Sequence, residues 1–546
     1  MNHIYKLVWN RARNMYMAVS ETAKSHGKSG SISRAGRKTA AILLAVLALT
    51  AGAGTVNFAA AANTPGSGDG VAVGTDSSAP KAENVAIGKG AGISYSNGAS
   101  TATGDIVVGN GANINNYASQ GGSIAIGKNA KVENMAGGGE ASFAFGQTTF
   151  SGNEFSESRI PTDPSKVIGS IAIGDNTFAR TGSTMIGSHN YKGELGDTTV
   201  DSTSTRTYAL NVYATTVGAN SFSNGAFTTN TGSYNIISSE YNGGRSANPV
   251  KNMGATITGA LNSIESIGAD DYSGIANTVS GIANRTSNSN GTLIYGAGNE
   301  VTNSITSLED IPTDSGNSAK AFSEKLRGTI KASNSGGATL AIGGGNKIDN
   351  AIRSQAIGVN NTLTGNLYHE DGLSIGSRIL IPAVNEYSAQ YNMVDGYNNN
   401  VANVNHAYVI GANNNIQGKT FSDATKDGVL SDKDREKAKK DDNLIVIGDN
   451  HTLANDVSNN IILGTADKTL TTRASNIVMI GHNADAQKEG GVALGADSVA
   501  AIDKDQIGYD PANGDHQTDT TGIWKSTAAA RFLRGGPEAP SCRFRR

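Results

Sequence analysis

Cysteine occurs once in 546 residues and proline ten times, while aromatic side chains make up 6% and charged ones 17% of the chain. One cysteine excludes a disulfide framework and any thiolate-based zinc module. Scarce aromatics and only 37% hydrophobic residues exclude the thick layered core that an enzyme of this length would bury. The compact hydrophobic run at residues 40–49 is half of what a membrane-spanning helix needs. A near balance of 44 basic and 47 acidic residues leaves no basic excess for a polyanion.

What is abundant is glycine, 69 residues, and it sits in a repeat. Val-Ala-Ile-Gly (85–88), Ile-Val-Val-Gly (106–109), Ile-Ala-Ile-Gly (124–127 and 171–174), Leu-Ala-Ile-Gly (340–343), Ile-Val-Ile-Gly (445–448) and Val-Ala-Leu-Gly (492–495) are copies spread along the chain. Each reads as a short strand ended by a turn. Gly448, Gly464, Gly481 and Gly495 lie 16, 17 and 14 residues apart. That is too short for a βαβ crossover and suits one solenoid coil of strand, turn, strand and return. Stacking at about 4.8 Å is expected to line the Ile and Val side chains into an inner ladder, with glycine supplying the corner. A single thin coil buries little per residue, so side-by-side association of several chains is expected.

Residues 1–38 carry eight basic residues against Glu21, and the apolar run at 40–49 leads to Ala59-Ala60-Ala61-Ala62-Asn63. A basic segment, a ten-residue apolar segment and a small-residue exit describe a secretory signal, so export is expected.

Within that leader, the text from Met1 through Trp9, Asn10 and Asn14 to Lys24-Ser-His-Gly-Lys28 resembles the extended signal peptide region of Gram-negative autotransporters. With this leader, the glycine repeat resembles the YadA-like head of trimeric autotransporter adhesins. Residues 509–527, from Tyr509 and Gly514 to Trp524 and Thr527, are similar to the segment with which such heads lead into closing coils. The resemblance implies an all-β, left-handed parallel β-roll or solenoid passenger with small irregular or helical insertions, assembled as a homotrimer. It also implies a cell-surface adhesin for host extracellular matrix, cell-surface receptors or other bacteria. Some relatives bind collagen through an Asn-Ser-Val-Ala-Ile-Gly motif; Asn84-Val-Ala-Ile-Gly88 lacks the serine, so collagen binding does not transfer.

The chain departs from this family after residue 530. No stalk or barrel segment follows, and residues 531–546 form a basic tail holding Cys542, which reads as a frameshifted or truncated end. Retention in the periplasm is then one expected fate. Setting aside the basic ends, the body carries about −14, which argues against nucleic acid and anionic membrane as partners.

The expected organisation is an extended signal region (1–28), a signal core with its cleavage region (29–62), and head repeats at 63–300, 336–418 and 443–530. Insertions are expected at 301–335, where 318–326 is helix-like, and at 419–442. The stretches 191–260 and 262–300 have fewer motif copies and are expected to be irregular coils. In the second insertion Asp423, Thr425, Asp427, Gly428 and Asp434 approximate an EF-hand calcium loop at positions one, three, five, six and twelve. Thr425 and the Asp at position twelve depart from the pattern, and a solvated, helix-capped insertion is the competing reading.

Enzyme signatures fail. Gly27-Lys28-Ser29 and Gly418-Lys419-Thr420 lack the upstream glycine of a phosphate loop, and the histidines are scattered singly. Asp270-Asp271 and Asp441-Asp442 are adjacent, and strand neighbours face opposite ways. Two rivals remain open: an exported β-helix enzyme acting on polysaccharide, and an RTX-like calcium-binding surface protein, whose nearest approach is Gly343-Gly344-Gly345 with Asp349.

Overall fold

The structure, a computed structural model, describes residues 64–95, 103–116, 121–134, 169–180, 182–190, 213–239, 251–266, 273–306, 319–333, 336–370, 373–375, 378–381, 384–422 and 430–503. It also describes short strands at 5–10, 15–20, 509–510, 515–516 and 530–532. Two compact units divide at residue 62. In the first, Tyr5–Asn10 pairs antiparallel with Met15–Ser20.

The second unit is a parallel β-solenoid, as the 14–17 residue spacing predicts. Among the described residues one ladder of 20 strands, here sheet 1, runs from Val71–Val73 to Ala530–Phe532. Each strand pairs with the coil before and the coil after, and the first and last pair only with their own neighbours, so the ladder is open. Its low end is covered rather than left bare: Pro65 makes an antiparallel bridge to Val73, which blunts a free edge. At the other end the strand Ala530–Phe532 joins Val492–Leu494 in parallel, so residues 531 and 532 of the atypical tail take part in the ladder. A second ladder, sheet 2, comes in blocks of four (Gly92–Tyr95 to Phe178–Arg180), eleven (Phe222–Ser223 to Leu470–Thr472) and two strands (Asp485–Ala486 and Val499–Ala500).

The inner ladder is not made of the residues that the motif advertises. In Ile-Ala-Ile (124–126), Ala125 is fully buried while Ile126 is 37% exposed, and Ala86 and Ile87 repeat the pattern. A strand alternates faces with period two, so of three motif residues only the middle one points inward. The flanking Ile and Val form an outer stripe. In several lower coils the inward residue is small: Ala86, Ala125 and Ala172 of sheet 1 share a core with the larger Ile93, Ile114 and Val132 of sheet 2, whereas Ile257, Val394 and Ile462 fill the same position higher up.

The corner from sheet 1 to sheet 2 is short and nearly constant, from Ile126 to Lys131 or from Ala297 to Glu300. Its glycines stack coil on coil at positive φ. Gly343 has φ +116, and a Cβ there would collide with the carbonyl oxygen of Gly358 above it. The return from sheet 2 to sheet 1 varies in length, and the long excursions leave from it. Within the stretches 191–260 and 262–300, expected to be irregular, the described strands are regular: Thr256–Ala260, Thr278–Ile282 and Leu293–Ala297 pair in unbroken register, with Gly259 on Gly281 on Gly296.

Two excursions hold helices, α1 (Ala319–Ala332) within the expected 301–335 insertion and α2 (Asp432–Ala438) within 419–442. A third interrupts the expected 336–418 roll. After Thr362–Thr364 the chain leaves as a hairpin, pairing Leu367–Glu370 with Val384–Tyr387 and Leu373–Ile375 with Arg378–Ile381. Alternating apolar and polar residues allow either a coil strand or a hairpin, and the 396–411 glycine spacing on the far side hid the excursion.

Candidate functional site

Three features of the solenoid could meet a partner or hold the surfaces that do. The first is the outward face of sheet 1. Ile87, Ile126 and Ile186 lie on its lower coils and Ile342, Ile447 and Ile480 on its upper ones, each more than a third exposed. Between them Thr229, Thr231 and Thr258 replace the aliphatics and are exposed. Scattered apolar side chains are ordinary on a protein surface, but two apolar stretches on one face, separated by the threonine coils, make it a candidate contact face.

The second is a lateral knob in which the hairpin and the 419–442 insertion pack together. The Leu430 amide donates to the Leu367 carbonyl at 2.6 Å. Arg435 Nε donates to Glu386 Oε2 at 3.0 Å, and Lys439 Nζ reaches Glu386 Oε1 at 3.1 Å. Burial raises the Glu386 pKa, but these two cations outweigh it and hold the carboxyl below its ordinary value. Helix α2 carries Asp432 in its first turn and Lys437 in its last, the polarity that its dipole favours. Its last carbonyls are satisfied by Asn405, whose Nδ2 donates to the oxygens of Ala438 and Lys440. Leu430 and Ala438 are buried with Phe421 against them.

The insertion is clamped at its base. Lys419 Nζ meets Asp442 Oδ2 at 2.5 Å, and both side chains are more than nine-tenths buried. Burial lowers the Lys419 pKa and raises that of Asp442, each against the pull of its partner. Asp442 also accepts the Asn405 amide at 2.7 Å, while Asp456 holds Thr420 and Lys437. The adjacent carboxylates Asp441 and Asp442 therefore divide their work: Asp442 closes the loop, and Asp441 faces His406 at 3.4 Å.

The third feature is a buried amide ladder in the corner between the sheets. Asn235, Asn262, Asn284, Asn299, Asn346, Asn361, Asn399 and Asn414 follow one another, each Nδ2 donating to the Oδ1 below at 3.0–3.2 Å. A second Nδ2 bond goes to a glycine carbonyl of the coil above, as from Asn299 to Gly343 at 2.9 Å. The signal was in the sequence as Gly-x-x-Asn, for example Gly296 with Asn299 and Gly358 with Asn361. The lower coils carry alanine there instead, as in Gly88 with Ala91.

Of the calcium-loop residues, Asp423, Thr425 and Asp427 lie outside the described residues. Asp434 sits in helix α2, buried, and accepts a long hydrogen bond from Ser422 at 3.5 Å. Among the described residues no group of three metal-ligating side chains comes together. Asp270 and Asp271 also lie outside the described residues.

Comparison with known proteins adds two findings. Residues 1–51 match the family described as Extended Signal Peptide of Type V secretion system. A stretch of 114 residues is 38% identical to the autotransporter adhesin EhaG of Escherichia coli O157:H7, covering 20% of this chain and 6% of that relative. The matched part is thus a small fraction of the relative's length. The leader match supports export, and a stretch of the chain is similar to part of an autotransporter adhesin.

Proposed function

We propose that this chain is the non-enzymatic head of an adhesin that works as a homotrimer and attaches the cell to host matrix, host-cell receptors or other bacteria. The outward face of sheet 1 is the observation that carries the reading. Its stripe of Ile, Val and Leu runs along most of the ladder, and each buried methylene is worth about 0.8 kcal/mol. Packing several copies stripe to stripe supplies the burial that a thin coil lacks. In a trimer closed around that face, sheet 2 and the excursions from the variable return remain outside. Ligand contact then falls to the knob built from 366–387 and 419–442. Light scattering on the purified chain tests the assembly, with three copies expected and a monomer at micromolar concentration refuting it. Adhesion of cells displaying the chain, with and without residues 419–442, tests the attachment surface. Undiminished adhesion of the deleted form to matrix, host cells and bacteria alike refutes the knob as the contact.

A further inference from the structure

The two edges of sheet 1 are not alike, and they differ at the same height in the stack. Where its strands begin, the corner position holds Arg353, Tyr391 and His406 on successive coils, with the Tyr391 and His406 rings stacked at 4.8 Å. On the coils below, the same corner holds only Ala276, Gly291 and Ala338. There a hollow of about 350 Å³ opens, walled by Leu293, Leu340 and Ile330 of helix α1. Leu293 is 40% exposed and belongs to the outward stripe, so the hollow is a lateral extension of the face already assigned to self-association.

Helix α1 itself needs more support than this chain gives it. A helix of 14 residues is marginal in water on its own, and Gly328 and Thr329 weaken it further. Leu326 and Ile330 are half-buried, while Glu324, Lys325 and Arg327 are exposed. The helix carries Lys320, Lys325, Arg327 and Lys331 against Glu324, a basic element on an acidic body.

Where the strands end, two apolar side chains stand exposed. Ile282, on the coil that begins beside Ala276, is 50% exposed, and Leu261 one coil below is 55% exposed. Copies arranged around a rotation axis present one edge to one neighbour and the opposite edge to the other, a heterologous contact that closes a ring. A hollow at one edge, and at the other exposed apolar side chains level with its lowest coil and the coil beneath, meet that requirement.

We propose that Leu261 and Ile282 of a second copy seat in the hollow beneath helix α1, so that the helix straps each protomer to its neighbour. The proposal rests on the self-association reading, and one experiment separates their failures. Within one chain the two edges lie roughly 15 Å or more apart along an extended strand, beyond the reach of a disulfide. In the full chain carrying Cys542→Ser, Ile282→Cys and Ile330→Cys are made singly and together, oxidised mildly and run on a denaturing gel. Reducible multimers from the double variant alone are expected. Monomeric bands from the double variant, or cross-linking by either single one, overturn the seating while leaving self-association standing if light scattering still shows an oligomer. A monomer by light scattering for the unsubstituted chain overturns both. As a second measurement, Ile282→Asp should weaken association at least tenfold with the strand signal in circular dichroism retained. Unchanged association overturns the proposal.

Discussion

His451 stands where asparagine stands in the eight coils below it, and replacing it should extend the buried amide ladder. Its amide donates to Asn414 Oδ1 at 3.0 Å, and its Nε2 lies 2.5 Å from the Gly464 carbonyl, so Nε2 carries the proton. Nδ1 is then buried with no partner. In His451→Asn the new Nδ2 would donate to Asn414 Oδ1 and Gly464, as that of Asn414 donates to Asn399 and Gly448. The added bond is worth about 1 kcal/mol, and removing the orphaned nitrogen a further 1 to 3 kcal/mol or so. The smaller side chain leaves a void costing about 1 kcal/mol, so a net gain of about 1–3 kcal/mol is expected at pH 7.5. Acid should widen the gap. Burial holds the His451 imidazole below its ordinary value, so the unfolded chain, titrating near 6.5, takes up a proton first. Stability contributed by this coil therefore falls as pH drops through about 6.5 towards the folded value, and the variant loses that dependence. Hydrogen exchange of amides 445–464 at pH 7.5 and 5.0, corrected for intrinsic rate, reads both effects. Lower protection in the variant at pH 7.5, or no loss of protection in the parent at pH 5.0, would refute the reasoning.

Other substitutions test the stack and the knob. Gly343→Ala forces a Cβ against the Gly358 carbonyl at φ +116 and should cost about 3 kcal/mol. By contrast Gly345→Asn, at φ +64 with open space around it, should change stability by less than about 1 kcal/mol, because Asn360, Asn398 and Asn413 hold that corner elsewhere; thermal melts compare the two. Asp105 is fully buried, and burial raises its pKa against the hydrogen bonds from Ser123, Tyr95 and Asn116. Its contribution is full below the unfolded value near 3.9 and is lost as pH rises through the folded one. Asp105→Asn removes that pH dependence and should flatten the urea midpoint between pH 4 and 7, but its new Nδ2 must face a donor, Asn116 Nδ2 or the Ser123 amide, so the variant should lose about 1–3 kcal/mol at acid pH. Glu386, held low by Arg435 and Lys439, contributes above about pH 4.3 and loses that contribution as pH falls through its folded value. Glu386→Gln should loosen helix α2 at pH 7 by about 1 kcal/mol, since water still reaches the cluster, seen as faster exchange at 432–438.

The repeat disclosed the architecture because stacking sets one backbone shape for each place in the coil, and at the Gly343 place, pressed at φ +116 against the carbonyl of the next coil, glycine tolerates no substitute. It misled about direction. Ile and Val draw the eye in Ile-Ala-Ile (124–126), yet Ala125 is the core residue, because a three-residue strand sends two side chains outward for one inward. Charge located the 419–442 insertion but not its partner, since Glu386 and Arg435 are 49 residues apart. The hairpin at 366–387 stayed hidden for a related reason: coil strands and hairpin strands share one composition, and Leu373-Ser374-Ile375-Gly376 even repeats the coil motif inside the excursion. The hollow beside α1 had no local signal, being made by what Ala276, Gly291 and Ala338 do not fill.

The constant corner and the variable return divide the labour of change as well as of structure. Height along the stack is counted by the short glycine turn, so a segment added to the return lengthens the chain without shifting any coil above it. New surface can thus be acquired or discarded at that flank while every strand of sheet 1 keeps its level in the stack. A sequence built this way can be rewritten on one side and stay in register on the other.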